Sequence, residues 1–112
     1  MSVIRDDRCT FAFNRIAPGA LEIVIDGIDT GQFGTAPLDE ISMALVRERP
    51  LELFVDATRA SMPAVTVSKE WTRYFALNQK DLVRVSVRTG KLIQIYSDSE
   101  LYEARKTAAA RR

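Results

Sequence analysis

The chain contains no histidine, and its only cysteine is Cys9. These absences exclude a Ser-His-Asp triad, a Cys/His zinc site, any imidazole acid or base and an internal disulfide. An excess of one charge is missing too, since sixteen Lys and Arg against fifteen Asp and Glu leave +1. That balance gives no long-range attraction to nucleic acid or to an anionic membrane, so neither partner is expected. No run approaches the roughly 18 apolar residues of a membrane span. The most apolar stretch, Leu21 to Ile25, is interrupted by Glu22. The segment Met1 to Arg8 has no apolar centre of the kind a signal peptide needs. One cysteine and no export signal make the reducing cytoplasm the expected location.

What is present is the composition of one ordinary globular domain, with 112 residues, 46% of them hydrophobic and 28% charged. A chain of this length buries about two-thirds of its unfolded surface without a metal or disulfide staple. No repeat or linker divides it. Residues 1–112 are therefore expected to form a single α/β domain, with 1–8 and 107–112 as flexible ends.

Periodicity supplies the elements. Phe11 and Phe13 mark a strand over Cys9–Phe13, and Leu21, Ile23 and Ile25 mark another over Leu21–Asp26. Ala17-Pro18-Gly19 between them is turn chemistry, so the two read as an antiparallel hairpin. After the glycine-bearing loop Gly27–Gly34, Pro37 suits a first helical turn. Leu38, Ile41, Leu45 and Val46 recur at helical spacing until Pro50. Leu51–Asp56 is apolar enough for an interior strand. A second helix is expected over Val65 to about Lys80, with Trp71, Tyr74 and Phe75 bedded on the sheet. Leu82–Arg88 alternates strictly, with Val83, Val85 and Val87 on one side and Arg84 and Arg88 on a solvated face. Thr89-Gly90 turns into a returning strand, Lys91–Tyr96. Ser97 and Glu100 make a capping box for a last helix. The predicted order is β-β-α-β-α-β-β-α, a single mixed sheet with helices packed against it and part of it parallel.

Several motifs resemble chemical sites, and each has a plainer reading. Asp29-Thr30-Gly31 matches the aspartic-protease tripeptide, but that chemistry needs paired loops on a nearly all-β fold, so a turn is the better reading. Gly27, Gly31 and Gly34 are not followed by Gly-Lys-Ser/Thr, which removes a phosphate loop. Asp56 ends the third predicted strand, the edge where α/β sheets place their sites. Ser61, Thr66 and Ser68 surround the start of the second helix, where hydroxyls cap exposed N–H groups or an anion can bind. Cys9 has no neighbour that would lower its pKa.

The succession from Leu51 to Val87 resembles the STAS class, the fold of anti-sigma-factor antagonists and their divergent, SpoIIAA-like relatives. Leu53-Phe54-Val55-Asp56-Ala57-Thr58 is similar to that family's central strand, which commonly ends in Asp, an apolar residue and Ser or Thr. Signalling members carry Asp-Ser-Ser/Thr-Gly at the next helix, with a phosphorylated serine. Counting from Asp56, this chain has Ala64-Val65-Thr66-Val67, with valine where the acceptor stands. The resemblance implies a small non-enzymatic module that binds a protein partner or a small ligand, with no cofactor or metal.

The site it implies comprises Asp56, Thr58, Arg59, Ser61 and Thr66. Two alternatives remain open at this point. One is a ligand-binding protein or small enzyme using Asp29, Asp56 or Tyr96 in an apolar pocket. The other is a self-assembling subunit, a homodimer for instance, joined through the strands of Leu82–Tyr96. A binding module should expose an apolar patch or a sheet edge, whereas an enzyme should gather polar groups around a perturbed carboxylate.

Overall fold

A computed structural model describes residues 2–61, 65–89 and 99–111. Its elements in chain order are β1 (Ser2–Arg5), β2 (Cys9–Ala17), β3 (Ala20–Gly27), α1 (Ala36–Arg47), β4 (Leu51–Ala60), α2 (Val65–Leu77), β5 (Leu82–Thr89) and α3 (Ser99–Ala110). The strands form one mixed sheet in the order β1-β2-β3-β4-β5. β1, β2 and β3 are an antiparallel meander, while β3, β4 and β5 are parallel and joined through α1 and α2.

The α/β class and the mixed sheet agree with the periodicity, but the described order differs at its start. The opening hairpin is a three-stranded meander, because Ser2–Arg5 pairs with β2 from Ser2↔Phe13 to Arg5↔Thr10. That strand is too short for its own pattern to announce it. It is set by the turn after it, where Asp6 Oδ1 accepts hydrogen bonds from the N–H groups of Arg8 (2.8 Å) and Cys9 (2.9 Å). The strand predicted at Lys91–Tyr96 lies outside the described residues. The next described element after β5 is α3, described from Ser99, and the expected capping Ser97 lies outside the described residues. Residues 107–110, expected as part of a flexible end, belong to α3.

One glycine is demanded by a close approach. Gly27 has φ of +103°, and a Cβ there would stand 2.0 Å from the Arg8 carbonyl oxygen. Only glycine lets the end of β3 pass the β1–β2 turn, where Ile28 N–H donates to that same carbonyl at 3.0 Å.

The sheet buries its two faces differently. On one face Phe11, Phe13, Leu21, Ile23, Leu53 and Val55 pack with Leu38, Ile41 and Leu45 of α1. Trp71, Tyr74 and Phe75 of α2 close this layer, and Trp71 stacks on Phe11 with ring centroids 6.0 Å apart. The opposite face carries α3, with a small apolar cluster of Ala17, Ala20, Phe54, Tyr102 and Ala109. Among the described residues, no helix is long and apolar enough to cross a membrane.

Candidate functional site

The residues expected to form a site around the end of β4 are only partly brought together. Asp56 is not at the strand end, because β4 continues to Ala60. The register against β3 slips between Val24↔Asp56 and Asp26↔Arg59, leaving one extra residue in β4. Within this bulge Asp56 Oδ1 accepts from Thr58 N–H (3.1 Å) and from Thr58 Oγ1 (2.7 Å). Arg59 is exposed and lies opposite Asp26 in the ladder. Ser61 is exposed and donates its backbone N–H to the Gly27 carbonyl at 2.8 Å. Thr66 is exposed in the first turn of α2. Asp29 is buried in a local turn, its Oδ1 accepting from Gly31 N–H at 2.9 Å. Tyr96 lies outside the described residues.

The other carboxylate oxygen of Asp56 faces across the sheet. Ladder rows set Glu22 beside Phe54 and Ser86, and Val24 beside Asp56 and Arg88. Arg88 donates to Asp56 Oδ2 at 2.6 Å and, with its other terminal nitrogen, to Glu103 of α3. Its guanidinium lies 4.6 Å from the centre of the Tyr102 ring, a cation–π contact. The Tyr102 hydroxyl donates to Glu22 Oε2 at 3.1 Å, and Lys106 Nζ sits 2.7 Å from the same oxygen. The face under α3 is thus a connected set of charges with little apolar surface. Two buried atoms beside it, Ser86 Oγ and Arg88 Nε, have no hydrogen-bond partner among the described residues.

The electrostatics follow from these contacts. Burial pushes the Asp56 carboxyl up, but the Arg88 hydrogen bond, the Thr58 hydrogen bonds and the guanidinium charge outweigh it and hold Asp56 below the usual range. Asp56 in turn, through its hydrogen bond, keeps Arg88 more firmly protonated. Burial, and then the Glu22 charge, push the Tyr102 phenol up. Burial likewise raises the Cys9 thiol to about 11, which suppresses its thiolate.

A pH dependence follows for Asp56. Its folded pKa is depressed, so the stability it contributes is fully present above the unfolded carboxylate value near 3.9. That stability is lost as pH falls through the folded value. Asp56→Asn is expected to lie about 2 kcal/mol below the parent in urea unfolding at neutral pH. The gap should narrow progressively below about pH 4. A gap that stayed constant into acid would contradict the ion pair.

A second feature lies on the other side of the sheet, where α1 meets α2. Ser42 Oγ and Tyr74 OH are 2.7 Å apart, and just beyond the helix ends Arg49 approaches Asp81 at 3.7 Å. Between these contacts stand Val46, one turn from both Ser42 and Arg49, and Leu77, one turn from both Tyr74 and Asp81. Val46 is 76% exposed and Leu77 74%, with Met43 a turn away at 48%. Three large apolar side chains of α1 and α2 are therefore exposed on the side of the helices where these two contacts lie. Val46, which the spacing assigns to the buried stripe, is displaced because Leu45 takes the sheet-facing position at 3% exposure.

Comparison with known protein families, with curated proteins and with solved structures finds no match. The site must be read from its own chemistry. Among the described residues, no group of His, Cys, Asp and Glu side chains could hold a metal ion.

Sequence reasoning missed Glu22, Arg88, Tyr102, Glu103 and Lys106. The signal for Arg88 was the alternation in β5, which sets Arg84, Ser86 and Arg88 on one face. That face is not solvated: Ser86 is buried, and the Arg88 side chain is only 19% exposed beneath α3. The valine face is the more open one, with Val83 58% and Val87 41% exposed. Among the described strands β5 is paired on one side only, and of its three valines only Val85 packs against the core, which Leu82 also joins. For Glu22, the cue was a lone acid inside an apolar strand.

Proposed function

We propose that this chain is a cytoplasmic, non-enzymatic STAS-like module that binds a protein partner, with the rim of Met43, Val46 and Leu77 as its contact surface. The observation that carries the reading is the pair Val46 and Leu77, about three-quarters exposed on adjacent helices. Isolated apolar side chains on a surface need no explanation, but contiguous ones lining a seam mark a place where another chain can dock. Near-zero net charge supports recognition by shape and apolar contact more than by a long-range field.

The described carboxylates Asp56 and Glu22, which a small enzyme could use, are engaged in ion pairs and hydrogen bonds. Asp56 is held by Arg88 and Thr58, and Glu22 by Tyr102 and Lys106. Partner switching through a phosphoserine has no acceptor at Val65, the position the resemblance assigns to it.

The test is a photo-crosslinking amino acid placed at position 46 of the full chain in its host cell. One discrete protein adduct is expected, absent when the probe is moved to exposed Asp7 and lost on Leu77→Lys. An adduct of twice the chain mass would make the partner a second copy. No adduct, or the same adducts from both positions, would overturn the reading.

A further inference from the structure

The seat of α3 is unlike that of the other two helices. Its described side chains bury only Tyr102 and Ala109, and the apolar ground they meet among the described residues is Ala17, Ala20 and Phe54, with Ile16 packed beside it. The rest of the contact is polar. Glu103 meets Arg88, Lys106 meets Glu22, the Tyr102 hydroxyl meets Glu22, and the Tyr102 ring meets the Arg88 guanidinium. Buried Ser86 Oγ and Arg88 Nε, which gain no hydrogen bond there, further weaken the seat. Glu103 is 54% exposed and Lys106 30%, so salt reaches the outer member of each pair, while Arg88 at 19% and Glu22 at 8% lie beneath them.

From this seat we propose that α3 is a releasable strap, which lifts from the sheet in a local opening that leaves the meander, β4, β5, α1 and α2 folded. The main apolar layer lies on the opposite face and contains no residue of α3. Lifting α3 uncovers Glu22 and Arg88, with Asp56 and Ser86 beside them, together with the smaller apolar surface of Phe54. Regions that open locally in this way combine few buried apolar contacts with a separable set of links, and α3 has both. Rising ionic strength, or a partner that takes over one of the charged groups, shifts the strap toward release. The opening does not depend on the Met43, Val46 and Leu77 rim, so either proposal can fail without the other.

Hydrogen exchange of the full chain, read by peptide mass at about 0.05 M and about 1 M NaCl, tests it. Amides of α3 are expected to exchange about tenfold faster at high salt, while those of β3 and β4 keep their rates. Lys106→Met and Glu103→Gln, both at solvent-accessible helix positions, should each speed α3 exchange at low salt and diminish the salt response. If α3 exchanges together with β4 at every salt concentration, the strap is overturned. Exchange of α3 that neither salt nor the two substitutions change would overturn it equally.

Discussion

Replacing Arg88 with methionine is expected to destabilise the fold by about 3 kcal/mol, although the residue lies on the last of the described strands. The reason is what remains behind. Asp56 keeps its charge in a site where its side chain is only 13% exposed, and loses the partner that holds it. Removing one member of a desolvated pair leaves an uncompensated charge, which costs more than the pair itself contributes. Glu103 loses its link to the sheet, and the Tyr102 ring loses the cation it faces, a contact of about 0.5–2 kcal/mol. Arg88→Lys keeps the charge but not the fork that reaches Asp56 and Glu103 together, so it should recover only part of the loss. Urea unfolding checks the series, and a loss below about 1 kcal/mol for Arg88→Met would mean that the pair is solvated.

Phe11→Ala should be costlier still, about 4 kcal/mol. Phe11 is 1% exposed and lies where three aromatic contacts meet. Phe33 stands edge-on at 5.7 Å, Trp71 is stacked at 6.0 Å, and Phe13 is stacked at 6.4 Å. Truncation removes the ring and leaves a cavity between the meander and α2 that two rigid neighbours cannot fill. Trp71 is the only tryptophan, so its fluorescence reports the site directly. The native emission should shift to longer wavelength as water reaches the indole, and the unfolding midpoint should fall. An unshifted emission with unchanged stability would show that α2 does not rest on Phe11.

These two residues also show which parts of the structure could be read in the sequence. Phe11 was legible, because period two at Phe11 and Phe13 and a helical spacing at Trp71 and Phe75 describe faces that burial fills in the ordinary way. The same holds for β3, α1, β4 and the helix after it. Arg88 was not legible as a buried group. An arginine alternating with valines reads as a solvated position, and only α3, placed by tertiary packing, covers it. Val83 and Val87 fail in the opposite sense, since alternation sets their face correctly but cannot tell the last of the described strands from an interior one. β1 was missed because its stability lies in the ladder to β2 and the Asp6 turn rather than in its own four residues. Of the five residues named for the candidate site, Asp56 and Thr58 are joined by hydrogen bonds, whereas among the described residues no hydrogen bond or ion pair joins the side chains of Arg59, Ser61 or Thr66 to them. The Val46 and Leu77 rim was hidden because two helices must be set side by side before their exposed residues become one surface.

The molecule combines a charge network centred on the covered Asp56–Arg88 pair with exposed apolar side chains at Val46 and Leu77 left free for a partner. Urea unfolding of two variants tests that combination most directly. Val46→Lys combined with Leu77→Lys is expected to stay within about 0.5 kcal/mol of the parent, since neither side chain packs in the core. Asp56→Asn, a change of one polar atom, should lose about 2 kcal/mol. The reverse pattern, a damaging double substitution at the rim and a silent one at Asp56, would contradict the account.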